Sequence, residues 1–371
     1  MYIKQMKDND WNKYKKFISK NLNNSLIKEK NFNKFWFRKK NGIWSIQLIK
    51  RIDGSIALVN LLLETKAIFC GRLTKFTWTS AAFAEKDARI SGIFGIMMFN
   101  LHRNLPLIGS TCGNKYSLPI NQKLGSDIEN LKIRRFIYVH KFDCLKIVQK
   151  KYKLLIKHQI KFIQYNKDSN IIVKKSKSFP KDTNKLWKNF AKNFECCIQK
   201  NHKYLTERYL KSPFQKYNIL LFRNKKNKLL GLSIIRLQNT LHGVCSRIVD
   251  FMSIQKYEEK IWHATIIECE KNKSLFSDFI VMGTNQDKHL LKAGFQLTSK
   301  KNYLDNIPNL LSPIEHRHWS YTFHLGGHLT KKLKGWRNKK KIWFTKGDGD
   351  RDFPTPYDIK YNNVKTIKNE R

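Results

Sequence analysis

Residues Phe76 to Leu101 read FTWTSAAFAEKDARISGIFGIMMFNL, and the hydrophobic period changes part-way along. Phe76, Trp78 and the small run from Ser80 to Phe83 suit a half-buried strand. Ile93, Ile96, Met97 and Leu101 then fall at the spacing of one helix face. Between them, Arg89-Ile-Ser-Gly92-Ile-Phe-Gly95 predicts a glycine-spaced turn feeding a helix N-terminus. The first N–H groups of a helix have no intrahelical acceptor and its dipole favours negative charge, so phosphate is a natural guest. An ordinary strand–turn–helix without a ligand is the alternative.

The turn resembles the acyl-CoA loop of the GNAT acyltransferases: Arg or Gln, two residues, Gly, one residue, then Gly or Ala. Arg89 and Gly92 match, Phe94 stands in the second small position, and Gly95 follows one place later. The resemblance implies an acyl-CoA donor, and with no strong metal motif in the sequence no metal is expected. It places Arg89, Ser91, Gly92, Phe94 and Gly95 at the pyrophosphate. Thr79, Ser80, Ala81 and Phe83 would flank the thioester, where the central strand supplies a backbone donor.

At 371 residues, 41% apolar and 13% aromatic, the chain can bury two cores of ordinary size. No apolar run reaches the length of about 18 residues that a transmembrane helix needs. The opening MYIKQMKDNDWNKYKKF lacks an apolar signal core, and the seven cysteines lack metal-ligand spacing, so a reducing cytoplasm is expected. The formal charge of +45 would attract phosphate-bearing partners. Yet 58 Lys against 15 Arg is what an AT-rich coding bias produces, and base-reading proteins lean on Arg. Nucleic acid is therefore not the expected partner.

Around the central stretch, Trp11, Tyr14, Phe17 and Ile18 predict a helix within residues 7–40. Gly42–Ile49 and Ile56–Leu61 flank Asp53-Gly54, a hairpin signal. Helix, hairpin, strand and strand–loop–helix is the order of a GNAT domain, assigned to residues 1–145. Residues 146–178 carry ten lysines and read as a basic connector. Residues 179–325 repeat the order, with Lys292-Ala-Gly294 after Gly283-Thr-Asn285 matching Lys123-Leu-Gly125 after Gly113-Asn114. Ser253-Ile-Gln-Lys-Tyr-Glu-Glu stands there in place of the glycine turn. The expected fold is therefore α/β with mixed sheets: two tandem GNAT-like domains facing one another, the second without a CoA loop, and a tail at 326–371. That tail, from Trp343 to Asp352, resembles acyltransferases associated with cell-envelope polysaccharides; tandem halves also resemble the Fem-type peptidyl transferases.

Acyl transfer to an amine needs a base, for which Glu64, Glu85 and Asp250 are the candidate catalytic carboxylates. Asp250 could instead pair with Arg247 or Arg236. His316 and His318 would share a strand face and, with His324 and His328, could complete a zinc site, line an acceptor cleft or be partly exposed polar positions; no strong metal motif matches. Asp348, Asp350 and Asp352 alternate, but Phe353 and Ile359 exclude an EF-hand, leaving a solvated turn or contacts to an amino-sugar acceptor. Lys331 to Lys341, with Trp336 inside it, reads as a solvated tail or as docking to an anionic membrane or phosphorylated glycan carrier. The expected activity is N-acyl transfer from acyl-CoA to an amine, an amino sugar on a nucleotide or lipid carrier. A Fem-like transferase using aminoacyl-tRNA, and a non-catalytic protein binding nucleic acid or membrane, are the alternatives.

Overall fold

The computed structural model describes residues 1–371 except 22–25, 39–40, 112–116, 127–132, 162–169, 284–286, 312–313, 316–322, 333–341, 350–351 and 353–371. Along the chain run β1 (Tyr2–Gln5), α1 (Trp11–Asn21), α2 (Lys30–Phe37), β2 (Ile46–Lys50), β3 (Ile56–Phe69) and β4 (Arg72–Ala84). Next come α3 (Lys86–Ile90), α4 (Ile93–Asn104), β5 (Leu107–Thr111), α5 (Ser117–Lys123), β6 (Ile133–Val139) and α6 (Lys150–Gln159). They are followed by β7 (Ile172–Ser176), α7 (Thr183–Ala191), β8 (Cys196–Ile198), α8 (His202–Leu205), β9 (Asn218–Arg223), β10 (Leu229–Thr240) and β11 (Gly243–Ser253). Then α9 (Glu258–Lys271), β12 (Ser274–Gly283), α10 (Asp287–Lys292), β13 (Gln296–Leu297), β14 (Leu310–Leu311) and β15 (Ile314–Glu315). The described part ends with β16 (Phe323–Gly326), α11 (His328–Lys332) and β17 (Ile342–Thr345).

Two compact units result: residues 1–132 with 195–198 and 321–339, and residues 133–194 with 199–320 and 340–371. This division differs from the one at residue 145. Strand β6 belongs to the second unit because it pairs along its whole length with β12. The segment carrying β16 belongs to the first unit because it pairs with β5. Strand pairing, a long-range property, overrides position in the chain here.

In the first unit, β2, β3 and β4 form an antiparallel meander, with β1 on β2. Strand β5 adds parallel to β4, and β16 adds antiparallel to β5. Helix α1 buries Trp11, Tyr14, Phe17 and Ile18, as its spacing predicts, and Trp11 stacks on Trp44 at 5.6 Å between centroids. Each such side chain contributes about 1.5–3 kcal/mol by leaving water. Helix α4 packs Met97, Met98 and Leu101 with Leu58, Leu62 and Ile108.

The second unit repeats this order: β9, β10 and β11 are antiparallel, helix α9 follows, and β12 returns parallel to β11. The short helices that come next also end alike. Gly125 and Gly294 both take positive φ, and Ser126 N–H bonds the Asn121 carbonyl as Phe295 N–H bonds that of Leu290. This is a glycine-terminated helix end in both units. Gly113, Asn114 and Asn285, which open the repeated stretch, lie outside the described residues.

The units differ where α4 and α9 begin. Glu258 and Glu259 occupy the first turn of α9, and Glu258 is buried. Desolvation pushes its carboxyl up to about 8. Because the folded pKa exceeds the unfolded one, the native state alone holds this proton between about pH 4.5 and 8, and stability falls as pH rises through that window. Glu258→Gln should therefore stabilise the protein, by an increment that grows at up to about 1.4 kcal/mol per pH unit. Thermal denaturation at pH 5 and pH 8.5 checks this; an increment equal at both would contradict it.

Candidate functional site

In the first unit β4 and β5 pair only from Phe76 with Leu107 to Thr79 with Ser110. Beyond that point β4 continues to Ala84 while β5 stops at Thr111, so the strands part. The β3–β4 register slips at the same place, since Leu61 opposes Ala81 and Leu62 opposes Thr79. Ser80 is the extra residue. A bulge of this kind bends the strand and leaves one residue outside the ladder.

A cleft of about 570 Å³, including its open mouth, lies in this gap. Thr79, Ser80, Ala81 and Ala82 line one wall, and Ser110, Thr111 and His324 line another. Phe94 and Met98 of α4, Asn60 of β3, and Ser117 and Asn121 of α5 complete it. None of these side chains carries a formal charge. Asn60 Oδ1, Ser80 Oγ and His324 Nε2 are buried without a hydrogen-bond partner among the described residues. Buried polar atoms are ordinarily satisfied, so three around one cleft fit a polar ligand.

His324 reaches the cleft because β16 pairs on β5, opposite Ser110. Burial, reinforced by nearby His102, lowers its pKa to about 4. The ring is thus neutral at pH 7, with Nε2 facing no protein donor or acceptor that is described. His102 meets Asn121 Oδ1 and Ser126 Oγ through Nε2, both at 3.4 Å.

The glycine turn follows the same C-terminal end of β4, beyond Ala84 and α3. Gly92 caps α4 with φ of 71°, a conformation that costs a side-chain-bearing residue energy. A Cβ on Gly92 would meet no atom within 4 Å beyond its chain neighbours, so the space over the turn is open. Phe94 does not fill it; the ring packs on the α4 core and lines the cleft. Arg89 is exposed and donates from Nε to the Ala84 carbonyl at 2.9 Å, and Ser91 Oγ bonds back to Ala88. Residues 86–90 form the short helix α3 rather than an open loop.

Of the residues singled out in the sequence, the cleft gathers Thr79, Ser80, Ala81, Phe94 and His324, while the turn gathers Arg89, Ser91, Gly92 and Gly95. Phe83 is on β4 beyond the cleft lining. Glu85 is held by Arg51 and Lys20, both at 3.0 Å, and Glu64 by Lys75 at 3.3 Å. Neither lines the cleft. His316, His318 and Asp350 lie outside the described residues, as do residues 333–341. His328 begins α11. The cleft also contains Asn60, Ser110, Thr111, Ser117 and Asn121, which the sequence reading did not select. Asn60 had a signal: it is the one polar residue in Ile56-Ala-Leu-Val-Asn-Leu-Leu-Leu63.

Asp250 belongs to the second unit and is fully buried. It accepts from Lys200 at 2.5 Å, Tyr209 Oη at 2.8 Å and its neighbour's backbone, Phe251 N–H, at 2.8 Å. Lys200 also meets Asp348 at 3.0 Å. The partner is therefore neither Arg247, which grips Asp278, nor Arg236, which pairs with Asp352. Asp348 and Asp352 are not in a solvated turn: both are buried, at 1% and 0% exposure. They sit there because β17 pairs with β12 at Val281–Gly283, beyond the last β11–β12 pair at Ile248 with Phe279. Strand β6 occupies the opposite edge of β12, so β17 enters the gap on the β11 side. The splay that is open in the first unit is filled in the second.

No protein-family model and no curated protein matches the sequence. Solved structures do. A GCN5-related N-acetyltransferase from Anabaena variabilis superposes with a TM-score of 0.55 at 10% identity, over 87% of this chain and 72% of that one. The "Probable N-Acyltransferase" of Enterococcus faecalis, a conserved protein of unknown function, gives 0.53 at 10% identity over 80% and 69%. The chain has a GNAT-like fold. Saccharomyces cerevisiae N-myristoyltransferase with bound myristoyl-CoA shares this GNAT-like fold over 94% of this chain and 85% of that one, with a TM-score of 0.50 and 8% identity.

Proposed function

We propose that the first unit transfers an acyl group from acyl-CoA to an amine in the cleft between β4 and β5. The observation that carries this is the coincidence, in one GNAT-like unit, of the Ser80 bulge, the open Gly92 turn and a neutral His324 whose Nε2 has no hydrogen-bond partner among the described residues. The pyrophosphate rests at the turn and the thioester at the bulge. The amine lone pair attacks the thioester carbonyl carbon, a C–N bond forms, and the carbonyl π electrons move to oxygen. Backbone N–H groups at the bulge stabilise that oxyanion. Nε2 of His324 takes the proton from the attacking nitrogen, and collapse breaks the C–S bond, leaving its electron pair on the CoA sulfur. The unit filled by β17, with Glu258 and Glu259 at its helix start, takes no CoA.

The uncharged, hydroxyl- and amide-rich lining favours a short, neutral acyl group. The acceptor expected from the envelope-type resemblance is an amino sugar on a nucleotide or lipid carrier. Calorimetry with acetyl-CoA tests the donor. One site per chain is expected, and Gly92→Asp should weaken it at least about tenfold, because an anion and a Cβ strained by positive φ replace an open turn. Two sites, or unchanged affinity in the variant, would overturn the reading. Tight binding of aminoacyl-tRNA without acyl-CoA binding would move the donor to the Fem-like alternative.

A further inference from the structure

Helix α6 of the second unit has two faces of unusual composition. Ile156 is fully buried, and Tyr152 and Ile160 pack against the same core cluster as Ile137, Cys144 and Phe276. Those contacts fix the rotation of the helix. The opposite side therefore carries Leu154, which is 65% exposed, with Leu155 beside it at 40%. Lys150, Lys151, Lys157 and His158 lie three or four residues from Leu154 and surround it on that side. Phe142, 43% exposed, continues the apolar surface, with Lys157 Nζ 5.5 Å from its ring centroid.

The charge is one-sided. Residues 141–161 hold seven lysines against one acid, Asp143, which Lys146 neutralises at 2.9 Å. A pinned helix that shows leucines to water inside a ring of lysines has the pattern of an interfacial segment. The apolar tips enter the acyl boundary while lysine stems reach back to phosphate. Solvated lysines alone would need no exposed leucines, and single-stranded nucleic acid would call for successive aromatic stacking platforms, whereas beside Phe142 the exposed apolar side chains named here are the aliphatic Leu154 and Leu155.

We propose that this face of α6, with Phe142, docks the protein on an anionic phospholipid bilayer. The helix lies in the interface plane; among the described residues no helix is long and apolar enough to span a membrane.

Cosedimentation of the whole chain with vesicles tests this. Vesicles of phosphatidylcholine with about one-third phosphatidylglycerol should bind it, and pure phosphatidylcholine should bind at least about tenfold less. Raising salt from about 0.1 to 0.5 M should weaken binding, since the attraction is screened. Leu154→Asp/Leu155→Asp should reduce binding at least about tenfold with unchanged circular dichroism, both positions being exposed. Ile52→Asp, which changes another exposed apolar side chain in the first unit, should have no effect. The idea is overturned if the leucine variant binds vesicles as well as the parent does, or if anionic vesicles do not bind. It is equally overturned if the variant loses tRNA binding but keeps vesicle binding. A short-acyl-CoA calorimetric titration of the same variant should be unchanged, which separates failure of docking from failure of the acyl-transfer reading.

Discussion

A His324→Gln variant is expected to bind acyl-CoA as the parent does and to turn over at least about 100-fold more slowly, the usual contribution of a positioned general base. Glutamine retains a polar side chain at the cleft wall, so the loss reports proton transfer rather than collapse of the site. The pH profile discriminates further. Burial holds the imidazole near 4, so the base is in its active, neutral form from about pH 5 upward. Parent activity should fall only on the acid side, with a limb centred near pH 4, and the variant should lack that limb. The measurement is kcat/KM for acetyl-CoA, which reports groups of the free enzyme, between about pH 3 and 8 at saturating amine acceptor. A limb near 6.5 that survives the substitution would assign the base elsewhere. Glu64→Gln should leave kcat within about twofold, since that carboxylate is held by Lys75 outside the cleft.

The largest stability effect is expected at Lys200. Its ammonium is 1% exposed and sits between Asp250 and Asp348, with Thr345 Oγ1 at 3.0 Å. Removing one partner of a buried ion pair strands the other, at a cost of roughly 3–5 kcal/mol. In Lys200→Met two carboxylates are left facing each other. The loss should be pH-dependent. Desolvation already raises the Asp348 carboxyl to about 6 in the parent, with Lys200 opposing that rise. Without the lysine it protonates more readily, and a neutral acid needs no cation. The urea midpoint of Lys200→Met should therefore fall sharply at pH 7.5 and recover in part at pH 5. A deficit equal at both values would mean that packing, not charge, is what the lysine supplies.

The same network shows why Asp250 was difficult to read from sequence. A carboxylate among apolar strand residues is a sound sign of burial, and Asp250 is buried. Whether it acts on a substrate depends on what faces it, and its partners Lys200 and Thr345 are 50 and 95 residues away. No local spacing reports such a pairing. Glu85, at the start of α3, is held outside the cleft for a similar reason: its partners Arg51 and Lys20 are 34 and 65 residues away.

Local chemistry fixed a good deal. The switch from strand to helix between Phe76 and Leu101, the positive φ at Gly92, and the core face of α1 follow from side-chain period and backbone sterics. These are properties of neighbouring residues, so the sequence alone determined them, whereas the GNAT-like expectation rested on the resemblance of the Arg89–Gly95 turn and of the element order to that family. The tertiary structure decided the rest. It moved β6 into the second unit and β16 into the first, and it brought His324 into the cleft that Ser80 lines. It also filled the β11–β12 gap with β17 while leaving the β4–β5 gap open. Each of these depends on which unpaired strand edge a distant segment satisfies, because backbone N–H and C=O groups must find partners somewhere. A period or a motif reveals that a segment is a strand, but not which edge it will join.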